Sequence, residues 1–206
     1  MNRDSTRSAS AKGTVRTLSQ SELPLLRDHL LRLDRTSRYD RFHGFMDDGF
    51  IKRYAEKCAS DGTVIIAYFE NGAVRGAAEL HPPEQSPDGE PEIAFSVERS
   101  ARRKGVGSIL FRKLITEARA RGYRSLRITT GAHNEPMRAL ASKFGAKLTF
   151  RHGESTGSID LARHGQPELV PAAATVAPLE AARAIANLNR AYWQMVFKMY
   201  GWGRAA

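Results

Sequence analysis

The chain has 206 residues, 41% of them hydrophobic, enough for one well-buried core plus an extension. A formal net charge of +10 favours anionic ligands or partners. A single cysteine, Cys58, excludes an intramolecular disulfide, and no apolar run is long enough to cross a bilayer as a helix.

Residues 1–13 are polar and rich in Ser, Arg and Lys. They read as a disordered tail with no apolar stretch of secretory type, so a cytoplasmic location is expected. Thr14–Leu18 reads as a first strand. Ser19 and Glu22 have capping-box spacing ahead of the stripe Leu23, Leu26, Leu30 and Leu33, which predicts a helix. The stretch Arg35–Phe50 interleaves arginines with Tyr39, Phe42 and Phe45. Such interleaving can serve nucleic-acid contact, but an irregular wall between two helices is the favoured reading. A second helix is expected over Asp47–Ala59. Thr63–Phe69 and Ala73–His81 form a hairpin around Asn71-Gly72, a strong turn signal. Pro82-Pro83 ends the hairpin and a polar loop runs to Pro91. Strand Glu92–Val97, helix Ser108–Arg121 closed by Gly122, strand Ser125–Thr130 and helix Asn134–Phe144 closed by Gly145 follow. The strand after the crossover helix should lie parallel to the one before it. Lys147–Arg151 and Ser158–Ala162 complete the domain as a last hairpin.

Three further segments follow from composition and spacing. The domain is expected to span 14–165. An Ala- and Pro-rich linker covers 166–178. A helical extension covers 179–206, in which Ile185, Leu188, Tyr192, Met195, Met199 and Trp202 recur at helical spacing. That stripe needs a cover, either the chain's own domain or a second copy in a homodimer.

The stretch that carries chemistry is Arg102-Arg103-Lys104-Gly105-Val106-Gly107. Strand, basic glycine loop and helix make an anion site, because the free amides and the dipole of the helix start favour negative charge. The loop fits neither Gly-x-x-x-x-Gly-Lys-Ser/Thr nor Gly-x-Gly-x-x-Gly, since Leu110 stands where the last glycine of the second pattern belongs. Ten Lys or Arg lie between Arg99 and Arg127 against the single acid Glu117, and most of them must form a solvated face. The six histidines are scattered without ligand spacing, and no metal site is expected.

The remaining pattern Arg-x-x-Gly-x-Gly resembles the pyrophosphate loop of the GNAT superfamily of N-acetyltransferases. The order of elements over about residues 14–162 is similar to that superfamily, as are the Glu92–Val97 strand and the spacing of Asn134 to Gly145. The stretch Ser37-Arg38-Tyr39-Asp40-Arg41-Phe42 resembles a segment of its protein-acetyltransferase-like branch. The resemblance implies an α/β fold, with a mixed sheet of about seven strands flanked by helices. It also implies acetyl-coenzyme A as acetyl donor and an amine as acceptor, either a small molecule or a lysine side chain. By the same resemblance the pyrophosphate sits on Arg102, Arg103, Lys104, Gly105, Val106, Gly107 and Ser108. The pantetheine arm pairs along Phe95, Ser96 and Val97 where two strands part, with Asn134 beside it.

Strand alternation places Glu92, Ala94 and Ser96 on one face and Ile93, Phe95 and Val97 on the core face. An acid among small residues suits a substrate-facing surface, and the matching glutamate of the branch is its proposed general base. Glu92 is therefore the candidate base. Glu79 is the second candidate, and a plain surface carboxylate is the blander reading for either, more so for Glu79. The superfamily's tyrosine acid, seven residues after the asparagine, is replaced here by Ala141. Two other functions compete with an acetyltransferase: a non-catalytic acyl-coenzyme A sensor using the same pocket, and a nucleic-acid binder using the basic surface, the less favoured of the two.

Overall fold

The computed structural model describes residues 13–86, 89–151 and 153–162. The expected tail (save Gly13), the Ala/Pro linker and the C-terminal helix with its dimer contact lie outside the described residues. Seven strands form one sheet: β1 (Thr14–Thr17), β2 (Val64–Glu70), β3 (Ala73–His81), β4 (Glu92–Val97), β5 (Ser125–Gly131), β6 (Lys147–Arg151) and β7 (Glu154–Asp160). Their spatial order is β1-β2-β3-β4-β5-β7-β6. Every neighbouring pair is antiparallel except β4 and β5, which are parallel as the crossover between them requires.

Helices α1 (Leu23–Arg32), α2 (Arg35–Phe42) and α3 (Asp48–Ser60) cover one face of the sheet; α4 (Val106–Ala120) and α5 (Glu135–Lys143) cover the other. The stripe of α1 behaves as its spacing predicts. Leu26 and Leu30 are fully buried, and Leu23 and Leu33 nearly so, against Ile65, Ala67 and Ala77 of the sheet. On the other face, Leu110, Phe111, Leu114 and Ala118 of α4 meet Ile66, Ala78, Leu80, Ile93 and Ile128. Each such side chain, fully buried, contributes about 1.5–3 kcal/mol. Three rings stack through this core, Phe95 on Phe111 at 4.8 Å and Phe111 on Phe144 at 4.3 Å, and so lock β4 to α4 and α5.

Two expectations need correction. The Arg35–Phe50 stretch is not an irregular wall: its first half is the helix α2. Asp34 caps it, its Oδ1 accepting from the Ser37 amide at 3.0 Å, and His43 ends it in a left-handed conformation at φ 55°. The last strand runs over Glu154–Asp160 rather than 158–162. Its register with β5, from Ser125↔Asp160 to Gly131↔Glu154, carries it along the whole of β5. Backbone pairing thus decides a strand that side-chain pattern marks only faintly.

Candidate active site

Strands β4 and β5 pair only at Glu92↔Arg127 and Ile93↔Ile128, then part. From Ala94 onward the β5-facing edge of β4 has no strand partner, while its other edge stays in register with β3 as far as Gly76↔Val97. The loop Arg102–Gly105 opens at the end of this gap. Arg103 at φ 61° and Gly105 at φ 80° turn the chain abruptly into α4, and Gly105 caps the helix without a side chain. The first amides of α4 are left without intrahelical acceptors and face outward beside basic residues. Gly107 lets α5 approach, since a Cβ there would stand 3.1 Å from Leu140 Cδ2.

The groove at this gap is about 390 Å³, within the range of small-molecule and cofactor clefts. Phe95, Ser96, Val97, Arg102, Arg103, Gly105, Val106, Gly107, Ser108 and Asn134 all line it; Lys104 does not and lies 3.7 Å from Glu70. The polar groups differ in what they leave free. Arg102 donates from Nε to the Val97 carbonyl at 2.9 Å and from Nη2 to Ser37 Oγ at 2.6 Å, so it braces the loop against β4 and α2. Arg103 is exposed and makes no ion pair among the described residues. Ser96 is buried, its Oγ 2.9 Å from His29 Nε2, so what Ser96 and the ring-stacked Phe95 present to the groove is backbone. Asn134 caps α5 through Oδ1, which accepts from the Met137 amide at 3.2 Å, leaving its side-chain NH₂ available. Unpaired β4 backbone, a turn of free amides and a basic rim fit a ligand with an amide-bearing arm and a pyrophosphate.

Behind the groove, on the face covered by α1–α3, lies a second cavity of about 70 Å³. It is much smaller than the groove, room for a small group and not for a cofactor. Glu92 lines it, opposite His81 on β3. Burial pushes the Glu92 carboxyl above the ordinary range, and His81, the Thr129 hydroxyl, Arg41 and His43 only partly oppose this. A carboxylate held up in this way is suited to take a proton.

Glu79 is a different case, and its surface reading is wrong. It is fully buried, and Arg41 donates to it from Nη2 at 2.7 Å and from Nε at 3.3 Å. Tyr54 donates its hydroxyl to the same carboxylate at 2.5 Å. Burial pushes this carboxyl up, but Arg41, His81 and Tyr54 more than reverse it and hold it at about 2. An acid so firmly ionised is a poor proton acceptor. The face shared by Glu92, Ala94 and Ser96 is therefore no open surface. It is roofed by helices, with Glu92 and Ala94 lining the inner cavity and Ser96 buried beside His29 at the groove.

Sequence reasoning missed Arg41, Tyr54 and His81 as parts of this site. The signal for Arg41 was present in Ser37–Phe42, whose helical spacing puts Ser37, Asp40 and Arg41 toward the groove. His133 is 60% exposed and lies 3.0 Å from Asp40 Oδ1, bridging α5's loop to α2. Ala141 is fully buried in the core and does not line the groove, which Pro136, Met137 and Leu140 of the same helix do. Among the described residues there is no cluster that could hold a metal ion, and no helix long and apolar enough to cross a membrane.

Known proteins share this architecture. The GNAT domain of PAT from S. lividans is similar at 21% identity and a TM-score of 0.60, over 72% of this chain and 90% of that one. An N-acetyltransferase from Staphylococcus aureus Mu50 is similar at 24% identity and a TM-score of 0.55, over 73% of this chain and 99% of that one. A putative acetyltransferase from Salmonella typhimurium, solved with its cofactor acetyl-CoA, is similar at 18% identity and a TM-score of 0.55, over 78% of this chain and all of that one (100%). Residues 27–146, more than half of the chain and running from within α1 past the end of α5, match the Acetyltransferase (GNAT) family, to which this chain therefore belongs.

Proposed function

We propose that the protein is an acetyl-CoA-dependent N-acetyltransferase in which Glu92 is the general base and the acceptor is a small-molecule amine or a lysine side chain. The observation that carries this reading is a carboxyl with a raised proton affinity, in a small cavity that meets the cofactor-sized groove where β4 and β5 part. Acetyl-CoA supplies the activated acyl group. Arg103, Gly105, Val106, Gly107 and Ser108 hold its pyrophosphate with backbone amides and one exposed guanidinium. The free edge of β4 at Phe95–Val97 and the NH₂ of Asn134 orient the arm. In the chain's own part of the reaction, Glu92 accepts a proton from the acceptor amine, directly or through a water. The nitrogen then forms the N–C bond, the C–S bond breaks and the electron pair leaves on sulfur. No tyrosine at 141 assists that departure, so the thiolate takes its proton from water.

The test is release of free thiol from acetyl-CoA with a panel of amines, polyamines, amino acids and lysine peptides. E92Q keeps the shape and removes the basicity. It is expected to lower turnover by about a hundredfold or more with coenzyme A affinity unchanged. The deficit shrinks as pH rises and the acceptor amine deprotonates unaided. Parent-like turnover of E92Q at neutral pH removes Glu92 from the role.

A further inference from the structure

The groove and the inner cavity share a border, lined from both sides by Asp40, Arg41, Phe95, Asn134 and Met137. On the acyltransferase reading, on which this inference rests, an acyl carbon carried in the groove and an amine held in the cavity must meet at that border. Of the residues there, Phe95 and Met137 are apolar. Asp40 faces His133 at 3.0 Å, and the Asn134 oxygen caps α5. Arg41 is the one cation at this border.

Its guanidinium is held from behind on every side but one. Nε and Nη2 bind Glu79, and Nη2 also binds the Tyr54 hydroxyl at 2.6 Å. The plane lies over Phe42 at 4.7 Å and over Tyr54 at 5.4 Å. The side chain is only 7% exposed, yet Nη1 makes no hydrogen bond among the described residues. A purely structural ion pair explains Nε and Nη2. It does not use Nη1, a donor on a guanidinium fixed by its other nitrogens and lining both cavities where they join. Such a donor needs little reorganisation when charge develops in front of it.

We infer that Arg41 Nη1 donates a hydrogen bond to the carbonyl oxygen of the acyl group, and that Glu79 and Tyr54 are the positioning residues that aim it. As the amine nitrogen attacks, the C=O electron pair moves onto oxygen in front of Nη1. It returns as the C–S bond breaks and the thiolate leaves. The amine proton ends on Glu92, and Arg41 stays protonated throughout.

The test is difference infrared spectroscopy of acetyl-CoA labelled with ¹³C at the carbonyl, bound to the full chain without acceptor, alongside calorimetry of acetyl-CoA and of coenzyme A. The parent is expected to lower the carbonyl stretch relative to free acetyl-CoA and to prefer acetyl-CoA over coenzyme A. R41K keeps a charge beside Glu79 but loses the planar fork. It should return the stretch to its free value, abolish the preference and lower turnover by about a hundredfold or more. The double variant R41M/E79M, which leaves no unpaired buried charge, should do the same, so the outcome does not hang on R41K folding. Y54F loosens the aim of Nη1 without removing the donor, so its carbonyl stretch should fall between those of the parent and R41K. A lowered stretch in R41K overturns the role of Nη1, and a stretch in Y54F equal to the parent's overturns the positioning role of Tyr54. Parent protein that binds acetyl-CoA with an unshifted carbonyl overturns the Arg41 inference alone; parent protein that does not bind acetyl-CoA overturns the acyltransferase reading beneath it.

Discussion

Replacing Glu79 by glutamine leaves the Arg41 guanidinium in a site where its side chain is 7% exposed, with its counter-charge gone. Two routes give the cost. Removing one partner of a buried pair typically destabilises by about 3–5 kcal/mol, because the surviving charge is desolvated and uncompensated. Independently, the pair holds the Glu79 carboxyl at about 2 against an ordinary 4.5. A displacement of that size corresponds to about 3 kcal/mol of differential stabilisation. The routes agree at the low end, as expected when the glutamine carbonyl still accepts one of the bonds from Arg41 or Tyr54. In a domain of this size each kcal/mol moves the melting temperature by about 2–4 °C, so E79Q should melt about 10 °C below the parent at neutral pH. The pH dependence has a fixed sign. A carboxyl whose pKa is depressed by folding stabilises fully above its unfolded value, near 4.5, and loses that contribution as pH falls toward 2. E79Q has no such contribution to lose, so the gap between the two proteins should narrow on acidification through that window. Circular dichroism melts at a series of pH values measure both effects. R41M/E79M should recover most of the loss at neutral pH, since it removes both charges together. An E79Q protein that melts within about 2 °C of the parent at pH 7, or a gap that stays constant down to pH 2, refutes the reasoning.

Further expectations concern the groove and the core. Ser108 is the third residue of α4, where an acid favours the helix dipole but opposes a bound phosphate. S108D should therefore keep or raise the melting temperature while weakening coenzyme A binding by about tenfold or more in calorimetry, and unchanged affinity would falsify a phosphate site at this helix start. G107D tests the same site less cleanly, because its Cβ would also press on Leu140 at 3.1 Å. A141Y puts a ring into the fully buried position of α5 and should destabilise by about 1–3 kcal/mol or more through overpacking, without raising turnover. A stable A141Y with faster thiol release would show that the ring reaches the groove after all.

Much of the fold was legible because it is written in local pattern. Leucines at steps of three and four, Asn71-Gly72 between two apolar runs, and glycines at 122 and 145 each name an element or its end through geometry that a few neighbouring residues impose. The α2 helix was not read from its sequence because its first turn is polar and basic. Its evidence is a single cap, Asp34, and burial of Ser37 and Phe42 that only the sheet beneath provides. Residues 154–160 likewise lack a strong alternation and become a strand because β5 and β6 offer edges on both sides.

The loop proposed to hold the cofactor stands out for the same reason as the turns: two glycines, a run of cations and a helix start lie within a few residues. The sequence alone also established the charge excess, the strand that bears Glu92 and the absence of a tyrosine at 141. What each side chain faces was decided by the tertiary structure. Glu79 and Glu92 lie on the same face of adjacent strands, and alternation treats them alike. One is fixed as an ion by Arg41, which comes from a helix 38 residues away, and the other is left with a raised proton affinity in a cavity. Period and composition say which face a carboxylate shares. Its ionisation depends on the charges and the solvent that the rest of the fold brings to it or takes away.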